Sequence, residues 1–188
     1  MVVVAIIALA SAMAIPSISS FFKVSLNSAS REMAGTIKEA YNATVITGKV
    51  HRLVYDFKEN SYWVETGPST VLLDTKASRE REARKKRIAS NEEKKEDSSF
   101  TLDKSVTRKK ISLPTGASFE DVITQQSPEP LTEGRAYTHF FPHGLIEQTI
   151  IHLKDESKHQ VSLVISPIVG KTDMYERYLT TREAFGEQ

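Results

Sequence analysis

Five histidines, scattered carboxylates and no cysteine are the chemically capable side chains of this 188-residue chain. His139 and His143 flank "FFP" at a spacing found in some zinc sites. No second pair of ligands follows them, and a histidine on an alternating strand is more often structural. His51, His152 and His159 stand apart from one another in the sequence. Without cysteine, disulfides, thiolate metal sites and a cysteine nucleophile are excluded. "GKT" at residues 170–172 resembles the end of a phosphate-binding loop, but the glycine required five positions earlier is Ile165, so the match is spurious. A Gly-x-Ser-x-Gly elbow is absent, and the Asp and Glu residues give no convergent pair. The reading is of a protein that is not an enzyme, with no cofactor, no metal and no small-molecule substrate.

The chemistry must then lie in how the elements assemble. Net charge is +1, unevenly spread. Residues 74–110 carry 13 Lys/Arg against 8 Asp/Glu, and the rest of the chain carries 12 against 16. A mildly acidic body thus bears a basic insert. The insert is poor in apolar residues and reads as a solvated, flexible loop. A stretch such as Ser78 to Ala89 has Glu80–Arg84 and Glu82–Lys86 spaced for helical i,i+4 pairs.

The opening run, "MVVVAIIALASAMAIPSISSFF", holds no formal charge before Lys23. As a helix its 22 residues span roughly 33 Å, close to the ~30 Å apolar core of a bilayer. A cleaved signal peptide is one rival: "ASA" and "AMA" at residues 10–14 suit a peptidase, but no basic segment precedes the run. A buried core helix is another, yet such a helix would show a polar face. A transmembrane or filament-core helix over residues 1–22 is favoured, with Val3, Val4, Ile6, Ile7, Leu9, Met13 and Ile15 as packing residues. Pro16 would bend or locally melt it. Ala8, Ala10, Ser11, Ala12 and Ala14 would allow close approach of neighbouring helices.

Residues 23–48 continue as an amphipathic helix half. Leu26, Ala29, Met33, Ile37, Ala40, Tyr41 and Thr44 recur at spacings of three and four, and Gly48 supplies the stop. Met33, Ile37 and Tyr41 are expected to pack this half on a sheet. From Val2 to Thr47 the helix would measure about 69 Å. "VHRLVYDF", a polar "KENS" turn and "YWVET" read as a β-hairpin over residues 50–66. "STVLLD", "KKISLP", "SFEDVIT", "AYTHFF", "EQTIIHL" and "HQVSLVI" follow as short strands. One helix followed by strands predicts α+β: a long N-terminal helix packed on an antiparallel β-sandwich-like domain over residues 49–188, with the insert at 74–110.

"MVVVAIIALASAMAIPSIS" resembles the N-terminal helix of type IV pilins and type II secretion pseudopilins. "AYNATVITGKVHRLVYDFKENSYWVE", "YTHFFPHGLIEQTIIHL" and "SLVISPIVGK" resemble the GspH/FimT class of minor pseudopilins, leaving the insert uncovered. Aligned on Pro16, the family's helix glutamate falls two residues before Met1. The resemblance therefore implies that the leader, the methylated N-terminal phenylalanine and that glutamate lie ahead of this chain's first residue. It also implies a structural minor pseudopilin in a periplasmic pseudopilus, at or near its tip, driving protein export. Its partners would be other minor pseudopilins, the major pseudopilin and an inner-membrane assembly platform. The implied location is the bacterial inner membrane, single-pass, with the globular domain in the periplasm. A FimT-like pilus subunit that binds DNA is the alternative, but "GKTDMYER" after the late glycine mixes Lys171 with Asp173 and Glu176, which disfavours nucleic acid. An exported soluble protein is the weakest alternative.

Overall fold

A stripe of apolar residues one turn apart along a helix needs an apolar surface to cover it, and two sheets supply that surface here. In the computed structural model of the chain, α1 spans Val2–Thr47 and is followed, among the described residues, by nine strands and a short terminal helix. The structure describes residues 2–67, 100–167 and 170–186, with side chains from residue 23 onward. Leu26, Met33, Ile37 and Ala40 are completely buried on one side of α1. Lys23, Arg31, Glu32, Lys38 and Glu39 line the exposed side. Ser30 and Thr44 sit on the buried side because their hydroxyls donate back to the carbonyls of Leu26 and Ala40, both at 2.8 Å. Gly48, at φ 65°, ends the helix, and its N–H donates to Thr44 O at 3.0 Å.

The first sheet has the order β3-β2-β1-β6, with β4 also pairing β2. Its strands are β1 (Val50–Asp56), β2 (Ser61–Gly67), β3 (Thr101–Leu102), β4 (Ile111–Ser112) and β6 (Arg135–Phe140). The second, ordered β5-β7-β8-β9, contains β5 (Ala117–Thr124), β7 (Thr149–Asp155), β8 (Gln160–Ile165) and β9 (Thr172–Tyr175). Every pairing is antiparallel. The hairpin turn closes at Asn60, at φ 48°. Its side-chain amide donates to Ala117 O at 2.7 Å and accepts from Phe119 N–H at 3.2 Å, tying the first sheet to the second. α2 (Thr181–Phe185) starts in a capping box between Thr180 and Glu183.

This arrangement corrects the expected architecture of a long helix packed on a β-sandwich-like domain. The chain is α+β and mostly sheet, and the two sheets do not stack on each other as a sandwich. Each turns its inner face to the same part of α1, and they touch directly where β5 meets β1 and β6. Leu53, Tyr55 and Val64 of one sheet and Phe119, Ile151 and Leu163 of the other share a core with Leu26, Met33 and Ile37. The physical reason is width: one helical stripe offers two flanks, and each sheet takes one. A second correction concerns location. Among the described residues no helix is long and apolar enough to cross a membrane, which overturns the expected single-pass inner-membrane placement. From Lys23 onward the helix carries the charged side named above, and a bilayer would not accept it. The packing residues Val3, Val4, Ile6, Ile7, Leu9, Met13, Ile15 and Pro16 lie outside the residues with described side chains, as do the strand expected at "STVLLD" and residues 74–99 of the insert. The end of the charged stretch is folded onto the first sheet: Phe100 and Thr107 are buried, and Thr107 Oγ1 accepts from Val64 N–H at 2.9 Å.

Candidate functional site

Three groups of side chains are built with more care than a solvated surface requires. The first is the helix seat. Met33 and Ile37 are fully buried in the shared core. Tyr41 is half-buried at its edge, where two left-handed glycines meet it. A Cβ on Gly170 (φ 65°) would lie 2.8 Å from Tyr41 Cγ, and one on Gly144 (φ 78°) would lie 3.4 Å from its hydroxyl. Gly144 belongs to "FFPHG" and Gly170 closes the turn after β8. Two turns far apart in sequence are therefore shaped around one helical ring.

The second group is the histidines, which the sequence shows as isolated and the fold pairs. His51 Nε2 is 2.9 Å from Asp103 Oδ2, and its Nδ1 is 2.9 Å from Thr44 Oγ1. His139 Nδ1 is 2.7 Å from Glu147 Oε2, which also accepts from the His139 N–H at 3.1 Å. His152 Nδ1 meets Asp121 Oδ1 at 2.6 Å and its Nε2 meets Leu179 O at 2.9 Å. His159 Nδ1 is 2.7 Å from Asp155 Oδ2. A β-bulge between Phe119 and Asp121 is what turns Asp121 toward His152. The hydroxyl–imidazole–carboxylate line Thr44–His51–Asp103 has the residue types of a nucleophilic triad, but Thr44 is fully buried and its hydroxyl donates to Ala40 O. It works as a clasp joining the end of α1 to β1 and to the segment after β3. Burial pushes the Asp103 carboxyl up, but hydrogen bonds from Ser105 and the His51 ring outweigh this and hold it below the ordinary range. His143 is exposed at the turn and does not join His139. Among the described residues no three His, Asp or Glu side chains converge as metal ligands.

The third group lines an open cleft of about 310 Å³ where α1 enters the body, between the β7–β8 turn and the segment after β9. Leu26 and Val161 lie at its floor, and Lys23, Lys158, Arg177 and Glu176 stand around it. Lys23 Nζ is 2.9 Å from Glu176 Oε2, and Asn27 Nδ2 donates to Glu176 Oε1 at 3.3 Å. The Lys23 contact is the main reason the Glu176 carboxyl is held below its ordinary value. In the sequence "KDESK" and "GKTDMYER" read as separate connecting segments, and the fold brings them together at this cleft. The only signal was charge at both, and charge alone does not say which turns become neighbours. Past Gly170, where a loop was expected, Thr172–Tyr175 form β9 instead, and Lys171 pairs with Asp173 at 2.8 Å. Compared with protein-family models, curated proteins and solved structures, the chain matches none.

Proposed function

We propose that this chain is a structural subunit of the minor pseudopilin kind, GspH/FimT-like, which joins a type II secretion pseudopilus through its N-terminal helix. One observation carries the reading: the 46-residue helix α1 has two unlike halves. Its second half spends its apolar stripe on the chain's own sheets. Strands of 6–8 residues reach only about 20–27 Å, against about 69 Å for the helix, so the body has surface for one half only. The first half is uncharged up to Lys23 and needs apolar neighbours of its own. Helices of adjoining subunits meet that need in a head-to-tail arrangement that does not close on itself. Pro16 gives the helix a point of local unwinding where such packing requires it. The partners on this reading are other minor pseudopilins and the major pseudopilin.

The lack of native cysteine makes the test clean. Single cysteines at Ile6, Leu9 and Met13 of the full chain, oxidised in the native host, should form disulfides with cysteines placed in the corresponding segment of neighbouring subunits. A cysteine at Lys38, on the exposed side, should not. Cysteines at residues 6–13 that stay unlinked and react freely with a soluble maleimide would remove the proposal.

A further inference from the structure

We infer that two copies of this chain pair side by side through the exposed face of α1, with the helices parallel and related by a two-fold axis. This is independent of the filament reading, which stacks copies head to tail. Opposite the buried stripe, Val24, Ser28, Gly35, Asn42 and Ile46 form an uncharged seam about 33 Å long, because steps of four and seven residues return to one side of a helix. All five are exposed, and Val24 and Ile46, at 69% and 82%, are among the few large apolar side chains left to water. Gly35 is a second sign. Glycine is a poor helix former, and here it sits mid-helix in ordinary helical backbone. No described atom lies within 4 Å of a Cβ added to it, so no contact inside the described chain requires it. A second backbone passing close at this point does.

The flanks of the seam choose the partner and its direction. Arg31 and Lys38 stand on one edge, and Glu32 and Glu39 on the other, about 100° away around the helix. None of the four makes an ion pair with a described residue. Arg31 adds to the field that lowers Glu176, but that carboxylate is bonded to Lys23 and Asn27. A two-fold axis parallel to α1 sets the basic edge of one copy against the acidic edge of the other. Arg31 then meets the second copy's Glu32, and Lys38 its Glu39, only about 1.5 Å apart in height, and each contact occurs twice. An axis perpendicular to the helices would instead set basic edge on basic edge. The charges therefore select a second copy in parallel orientation, while the seam supplies the contact. The two bodies stay clear of each other, since the sheets cover the opposite side of α1.

The test uses the full chain in mild detergent, with single cysteines introduced where the chain has none. A disulfide needs Cα atoms within about 7 Å, so a parallel two-fold pair links a seam residue to its own counterpart. Ser28→Cys alone and Asn42→Cys alone should each give a linked dimer on mild oxidation, whereas Lys154→Cys, exposed on β7, should not. Lys38→Glu or Glu39→Lys, added to either seam cysteine, should lower the linked fraction about tenfold, since each sets like charges together twice. The two reversals combined should restore it, which a mere change of net charge would not do. Gly35→Leu should abolish linking without lowering the thermal melt, because the new side chain meets open space within one copy. Seam cysteines that link no more than Lys154→Cys would overturn the inference. So would linking only when Ser28→Cys is mixed with Asn42→Cys, the mark of an antiparallel pair, or a combined reversal that leaves the dimer broken.

Discussion

The two sheets face the same difficulty and solve it differently. Helix α1 covers one face of each, and the other face would be left to water. On the second sheet the outer face is apolar, with Ile123, Ile150 and Val164, and the chain's own C-terminal segment closes over it through Leu179. That strap is pinned by oriented polar contacts. Ser162 Oγ donates to Arg177 O at 2.6 Å and accepts from Leu179 N–H at 3.0 Å. The Tyr178 ring stacks on His152 at 3.8 Å, and burial together with the Asp121 carboxylate raises its hydroxyl to about 12. On the first sheet the outer face is coated by its own long side chains. The Arg52 guanidinium lies 4.1 Å from the Phe100 ring centre and 4.4 Å from that of Tyr137, and it pairs with Glu65 at 2.7 Å. Lys110 and Arg135 lie over Trp63. Apolar outer residues need a separate cover, whereas amphipathic ones supply their own.

The largest expected effect lies on the strapped face. Leu179→Ala should cost about 2–3 kcal/mol in chemical denaturation, since it removes the strap's only fully buried apolar side chain. It should also open residues 176–186 to protease before the body unfolds. A uniform loss of stability with the strap still protected would erase the distinction between the faces. Arg52→Gln should be milder, about 1–2 kcal/mol, from loss of the stacked cation and the Glu65 pair. It should expose no described segment to protease, because Phe100, on which Arg52 stacks, also packs against Val50 and Phe141.

Acid gives the smallest and most discriminating effect. Asp103 and Asp56 both have folded-state carboxyls below the ordinary value; for Asp56 the chief cause is the Glu59 N–H, joined by Arg135. Glu183 is lowered to about 2, first by Arg177 and then by Thr180. A lowered carboxyl contributes stability that is complete above its unfolded pKa, about 4, and is lost as pH falls through the folded value. The melting temperature should therefore decline from about pH 4 downward. Asp103→Asn should lower it at pH 7 and flatten that decline, while Glu183→Gln should flatten only the acid loosening of the strap, read by proteolysis. A decline as steep in Asp103→Asn as in the parent would show that the His51 clasp is not what acid releases.

Much of the local structure was legible beforehand because it depends on near neighbours. The stripe Leu26–Met33–Ile37 and the stop at Gly48 are properties of a 3.6-residue repeat and a left-handed glycine. The hairpin at residues 50–66 and the later strands follow from alternation and turn residues. The sandwich expectation failed at the next level, since periodicity shows that a face is apolar but not what covers it. The candidate site was less legible still. Lys23, Lys158 and Arg177 are separated by up to 154 residues, and nothing local marks them as neighbours.

By itself the sequence settled that residues 23–47 coil and stop at Gly48, that the hairpin and the later strands up to residue 165 extend, and that the leading stretch of the helix is uncharged, while the strand at Thr172–Tyr175 and the helix at Thr181–Phe185 went unread. Only the tertiary structure decided that one helix serves two sheets, that each of four histidines lies against a carboxylate, and that the end of the chain returns to cover an apolar face. The reason is range. Backbone preference and side-chain period act over a few residues, whereas His152 meets Asp121 only after strand register and a bulge have been set by packing across the whole body.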